Sequence, residues 1–361
     1  MKNLFQGEDL IRLLLINLFY LKNFLPKVVL CWLDNFQLDC DADKQSCTDP
    51  LGVFTRPIGN YEEGDTFAVE HLDPSFKWKT GYMYTFIEAL HQLGLQRQEH
   101  VFALPYDWRI AVKHQRCHLY DRLTDLVEKA FYSTGNRPVT IIAHSMGGLL
   151  GSDFLSTKTN KWKIKFIKEF IAVASPFGGA SRSVNDIIVG NSYSVPTVGP
   201  TDAVQLVSNF TSVSSLLPQE FSFSDLAIAT FKDNVYSAGN ISLLFKETGR
   251  HSHASFIDWK LTIVDPSKSP GVKMTVFGSV DIPVARKFEF TQGRDGSIDS
   301  TPLEFEQGDG TVSLNSMTLV LDHWKKHQKQ QVSFIPMSKF EHANYFMDVD
   351  FVSILIQYLT N

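Results

Sequence analysis

The chain has 361 residues, 43% of them hydrophobic and 20% charged, with 34 Lys+Arg against 39 Asp+Glu. That apolar fraction and a net charge of only −5 exclude a disordered chain, and the absence of surplus positive charge argues against a nucleic-acid binder. The length suits one large domain or two small ones, and 28 Phe residues give the fold much aromatic surface to bury or to offer to an apolar ligand.

At the N-terminus, residues 13–21 (LLLINLFYL) are as long as the core of a signal peptide, but Glu8, Asp9 and Arg12 precede them and no small-residue cleavage site follows. Arg12, Asn17, Lys22, Asn23, Pro26 and Lys27 break the stretch, so it cannot supply the about 20 apolar residues of a membrane span. Residues 1–80 therefore read as a membrane-surface or cap-related segment. Cys40 and Cys47 close a short Asp-containing loop and either pair in an oxidising compartment or stay free; Cys31 and Cys117 complete the set.

From about residue 80 helix-like and strand-like blocks alternate, which predicts an α/β sheet. Met83, Phe86, Ile87, Leu90 and Leu93 recur at helical spacing. Residues 100–104 (HVFAL) read as a short strand and 119–131 as an amphipathic helix. Residues 139–143 (VTIIA) form a continuous apolar run, as expected of a strand covered on both faces, and a helix follows from Met146 to about Ser156. Residues 166–174 give the next strand. The alternation then stops from about 178 to 272, an insertion of the size of a cap or lid. Strand patterns resume at 273–277, a hairpin runs to about 305, 331–336 is a last strand, and 348–359 a terminal helix. This divides the chain into a core with residues 81–180, a cap at 181–271, and a second core part at 272–361.

The sequence Ala143-His144-Ser145-Met146-Gly147 sits between a buried strand and a helix. A nucleophile elbow needs this arrangement: a sharp turn exposes the serine hydroxyl, and small residues on either side let helix and strand approach. Such an elbow calls for an acid and then a histidine, each after a later strand. Asp309, in Gly308-Asp309-Gly310-Thr311, and His342, in Glu341-His342-Ala343-Asn344, occupy those places in that order. Separately each has an ordinary explanation as a turn or surface residue; jointly they read as a triad. His342 would take the proton of Ser145, Asp309 would fix the imidazole, and the Met146 backbone N–H would donate to the oxyanion. No cofactor is called for. His251 and His253 lack partners for a zinc site, and His323 and His327 read as a solvated face.

These motifs resemble those of the lecithin:cholesterol acyltransferase family, with its lysosomal phospholipase A and phospholipid:diacylglycerol acyltransferase relatives. The similar segments run in order along nearly the whole chain: Phe24-Leu25-Pro26, Cys31-Trp32-Leu33-Asp34-Asn35, Val69-Glu70-His71-Leu72-Asp73, Pro105-Tyr106-Asp107-Trp108-Arg109, the Ser145 elbow, Ala174-Ser175-Pro176-Phe177-Gly178-Gly179, and the Asp309 and His342 loops. The resemblance implies an α/β-hydrolase core with a cap and a mobile lid. It implies a glycerophospholipid as acyl donor and a lipid alcohol or water as acceptor, at a lipid surface. An apolipoprotein-like activator is left unassigned, and the compartment that the resemblance suggests is secreted, lysosomal or ER-lumenal. Three departures stand out. The family's first strand, ending in a Pro-Gly-type loop that supplies a second oxyanion N–H, is missing, which is expected to leave strand edges bare. Cys31 has no upstream mate, and the family's late cysteine pair is absent. The intact triad favours a start upstream of Met1 over a degenerate member. The rival readings are a serine lipase or carboxylesterase on neutral esters, and a catalytically impaired lipid-binding homologue.

Overall fold

The computed structural model describes residues 33–57, 62–72, 77–191, 199–224 and 226–361. In chain order the elements that matter here are β1 (Asp39–Asp41), β2 (Ser46–Thr48), α1 (Tyr84–Gln92), α2 (Val112–Ser133), β3 (Val139–His144), α3 (Met146–Thr157), α4 (Asn160–Phe166) and β4 (Ile167–Val173). The insertion contributes α5 (Ser181–Ile188), α6 (Pro200–Val207), α7 (Thr211–Ser215), β5 (Ala229–Phe231), β6 (Asn234–Tyr236), α8 (Ile241–Glu247) and α9 (His251–Asp258). The remainder is β7 (Met274–Ser279), β8 (Ile282–Gln292), β9 (Ile298–Gly308), α10 (Leu314–His327), β10 (Val332–Met337) and α11 (Val349–Thr360).

The central sheet has the order β10-β7-β4-β3, with every neighbouring pair parallel. Parallel strands need both faces covered, and β4 shows how its sequence does this. Phe170 and Ala172 pack with α2, α3 and α10 on one face; Ile171 and Val173 pack with α1 and α11 on the other. The period-two alternation of side chains converts one apolar run into two cores. Trp324, from the otherwise solvated turn of α10, is fully buried against Phe177 in the first of them.

The second sheet, β6-β5-β8-β9, joins two short strands of the insertion to the long hairpin that follows β7. Phe231, Phe288 and Phe290 belong to a third core with Val184, Phe210, Phe223, Phe245 and Trp259. Phe residues from the insertion and from the hairpin thus share one core. At the hairpin's base, Ile282 pairs with Gly308, so the chain leaves the end of β7 and returns to the same place with Asp309 next in line.

Several sequence expectations are corrected. Residues 100–104 form no strand; Val101 and Ala103 make only isolated bridges, to Arg97 and Gly64. The helix expected over 119–131 starts earlier, at Val112, whose buried side chain opens a polar first turn. β3 is packed on both faces as expected, Val139, Ile141 and Ala143 against one core and Ile142 against the other, and its residues from Val139 to Ala143 are only half-buried, with β4 its single partner among the described residues. Cys40 and Cys47, left open in the sequence, form a disulfide, and Cys117 is free and exposed. Among the described residues no helix is long and apolar enough to cross a membrane. Cys31 and the apolar stretch at residues 13–21 lie outside the described residues.

Candidate active site

Ser145 occupies the single residue between β3 and α3, with φ 51° and ψ −126°. A side chain with a Cβ is strained there, and such strain is held only where the surroundings over-determine it. They do so here. The Ser145 N–H donates to the Val173 carbonyl at 2.9 Å, and its own carbonyl accepts from Gly148 N–H at 2.9 Å. The helix lies close on the sheet because Gly148 has no Cβ; one added there would stand 1.9 Å from Ser175 Oγ. A Cβ on Gly147 would meet Ala143 Cβ at an ordinary 3.6 Å, so the Ala that replaces the first glycine of the elbow pattern fits without strain.

His342 follows β10, and its loop is pinned to the end of β7. Tyr345 Oη accepts from Ser279 N–H at 2.7 Å, and Ser279 Oγ donates to the Phe340 carbonyl at 2.7 Å. Asp309 follows β9 and is fully buried. The structure brings the three residues together. His342 Nε2 lies 2.9 Å from Ser145 Oγ, and His342 Nδ1 lies 2.8 Å from Asp309 Oδ2. The other Asp309 oxygen accepts from Thr311 N–H at 3.0 Å and Val312 N–H at 2.7 Å. A carboxylate accepts only, so Nδ1 carries the imidazole proton and Nε2 is left to accept from the serine hydroxyl. Met146 is the first residue of α3, where a backbone N–H has no partner within the helix.

His253, one of the histidines without evident ligand partners, is a buried residue of α9. Its Nε2 lies 3.0 Å from the Val207 carbonyl and its Nδ1 2.7 Å from Ser214 Oγ. His251, His323 and His327 are exposed. Two residues escape sequence reasoning altogether. His144 is buried with Nδ1 2.5 Å from Tyr82 Oη and Nε2 2.9 Å from the His342 carbonyl. Burial, and then the nearby His342, push its pKa down to about 3. Inside the Ala-His-Ser-Met-Gly run it looks like an incidental neighbour, and nothing near Tyr82 announces a partner 62 residues away.

A parallel sheet with helices on both faces, carrying a strained serine between strand and helix and an Asp–His pair after later strands, defines the α/β-hydrolase class. The lecithin:cholesterol acyltransferase family model matches residues 17–259, and the chain belongs to that family. It is 28% identical to the lysosomal phospholipase A and acyltransferase of Rattus norvegicus, over 89% of this chain and 76% of that protein. It is also 28% identical to the phosphatidylcholine-sterol acyltransferase of Mus musculus, over 89% of this chain and 72% of that one. Among solved structures, a lipase-esterase related protein from Clostridium acetobutylicum is similar at a TM-score of 0.34 and 10% identity, covering 77% of this chain and 89% of that one. That likeness is too distant to carry an argument. The family's members named above are lipid acyltransferases and phospholipases.

Proposed function

We propose that the chain moves a fatty acyl group from a glycerophospholipid to a lipid alcohol or to water through an acyl-Ser145 intermediate. The observation that supports this most is the hydrogen-bonded line Ser145–His342–Asp309. As Ser145 Oγ attacks the ester carbonyl, His342 Nε2 takes its proton and Asp309 stabilises the imidazolium that forms. The tetrahedral oxygen accepts from Met146 N–H. The imidazolium then protonates the departing lysophospholipid oxygen, leaving the acyl ester on Ser145. The acceptor's hydroxyl loses its proton to His342, attacks that ester, and frees the serine.

The phospholipid donor is supported by family membership and by relatives named as a phospholipase A and as a phosphatidylcholine-sterol acyltransferase. The test is acyl release from labelled phosphatidylcholine with and without sterol, ceramide or diacylglycerol, alongside a fluorophosphonate probe on the parent and on Ser145→Ala. Acyl transfer by the parent and labelling lost in the variant support the proposal. Hydrolysis of neutral esters alone would point to a plain lipase, and equal labelling of both proteins to a non-catalytic lipid binder.

A further inference from the structure

Beyond the triad, a second hydrogen-bonded line ends on the backbone of His342. The His342 carbonyl can only accept, so His144 Nε2, 2.9 Å away, must carry a proton and donate it. A neutral imidazole has one N–H, which leaves His144 Nδ1 as an acceptor for the Tyr82 hydroxyl at 2.5 Å. The hydrogen-bond directions are therefore set along the whole line. Tyr82 O–H donates to His144, and His144 N–H donates to His342. The surroundings favour the uncharged ring. Tyr345 and Phe346 pack on it with ring centroids 6.1 and 5.7 Å away, and the His342 ring lies at 5.1 Å. Burial also holds the Tyr82 phenol above its ordinary range, so it stays a donor.

From this geometry, and resting on the proposed role of the triad, we propose that Tyr82 and His144 are positioning residues for acyl transfer. Together they lock the His144 tautomer and hold the His342 backbone so that its ring spans Ser145 and Asp309. Asp309 orients the His342 ring from its side chain; the Tyr82–His144 line fixes where that ring is hung. Without the phenol, the His144 proton could move to Nδ1, and the bare Nε2 would then face the His342 carbonyl, acceptor against acceptor. A neutral His144 also spares the His342 imidazolium a second cation at 5.1 Å.

The test uses the full chain and four proteins: parent, Tyr82→Phe, His144→Leu and His144→Gln, whose amide can still donate near the lost Nε2. Imidazole nitrogen and proton NMR reads the His342 Nδ1 proton that faces Asp309. That signal should persist in the parent and His144→Gln and be lost or broadened in His144→Leu. Initial rates should show kcat falling about tenfold in Tyr82→Phe and further in His144→Leu, with KM held and His144→Gln within about threefold of the parent. An unchanged His342 proton and kcat in His144→Leu would overturn the positioning role. A parent that a fluorophosphonate does not label would overturn the nucleophile assignment instead, and the NMR comparison would still decide the positioning.

Discussion

Asp309 and His342 are joined twice. The carboxylate meets the imidazole at 2.8 Å, and the His342 backbone N–H donates to the Asp309 carbonyl at 3.0 Å. The second bond makes the pair a structural joint between the loops after β9 and β10, independent of the charge on the side chain. Asp309→Asn should therefore keep the loops docked while offering the imidazole an N–H where it needs an acceptor. The expected outcome is a loss of about 10³–10⁴ in kcat with little change in thermal midpoint. Calorimetry and acyl-release kinetics on the same preparation check it. A large fall in both would mean that the carboxylate chiefly holds the fold.

The strain at Ser145 separates two substitutions that abolish the hydroxyl equally. With φ 51° and ψ −126°, alanine keeps the Cβ that is strained there, whereas glycine removes it. Ser145→Gly is expected to be more stable than Ser145→Ala by about 1 kcal/mol, despite the entropy glycine ordinarily costs. Urea midpoints of the two variants measure this, and the same order should hold with neither labelled by the fluorophosphonate. Equal midpoints would mean that the elbow stores no strain.

Much of this site was legible in the sequence because its parts are local. The strand before Ser145 is largely apolar, the serine follows it directly, and Asp309 and His342 each sit in a short turn after a strand. What was hidden depends on partners far along the chain. Residues 100–104 have the composition of a strand, but a strand needs a neighbour, and they gain only single bridges. β5 and β6 are three residues each, too short for periodicity to register; β5 is held between β8 and β6, and β6 pairs with β5. No local pattern marks His144, because its partners, Tyr82 and the His342 backbone, lie 62 and 198 residues away.

The close approach of α3 to β4 makes a contrast between adjacent glycines. A Cβ on Gly148 would stand 2.5 Å from Ser175 Cβ, deep in the protein, where neither helix nor strand has room to yield. Gly148→Ala is expected to cost about 1–3 kcal/mol as overpacking, and to move the elbow enough to slow acylation. Gly147→Ala meets only the Ala143 methyl at 3.6 Å and should change stability by less than about 0.5 kcal/mol. Denaturation of the pair, side by side, tests the packing argument. Equal losses would show that the helix start, and not Ser175, limits what fits.

The Pro105-Tyr106-Asp107-Trp108-Arg109 run, one of the segments that carry the resemblance, finds its physical reason away from the triad. Arg109 is 3% exposed and ties the segment after β2 to the start of α2. It donates to Asp107 Oδ1 at 3.0 Å and Oδ2 at 2.7 Å, to the Phe36 carbonyl at 2.9 Å, to Thr55 Oγ1 at 2.5 Å, and to Asp49. Only a planar fork with five donors meets this set, so Arg109→Lys should cost about 2–4 kcal/mol although the charge is kept. Burial alone would raise the Asp49 carboxyl, but hydrogen bonds from Thr55 and the Arg109 guanidinium outweigh it and hold the pKa below the ordinary value. A carboxylate depressed in the folded state stabilises above its unfolded pKa, about 3.9, and loses that contribution as the pH falls through the folded value. The gap between parent and Asp49→Asn should thus be full at neutral pH and shrink below about pH 4. Urea midpoints at pH 7 and pH 3 decide it: an equal gap at both would mean that shape, not charge, holds this joint.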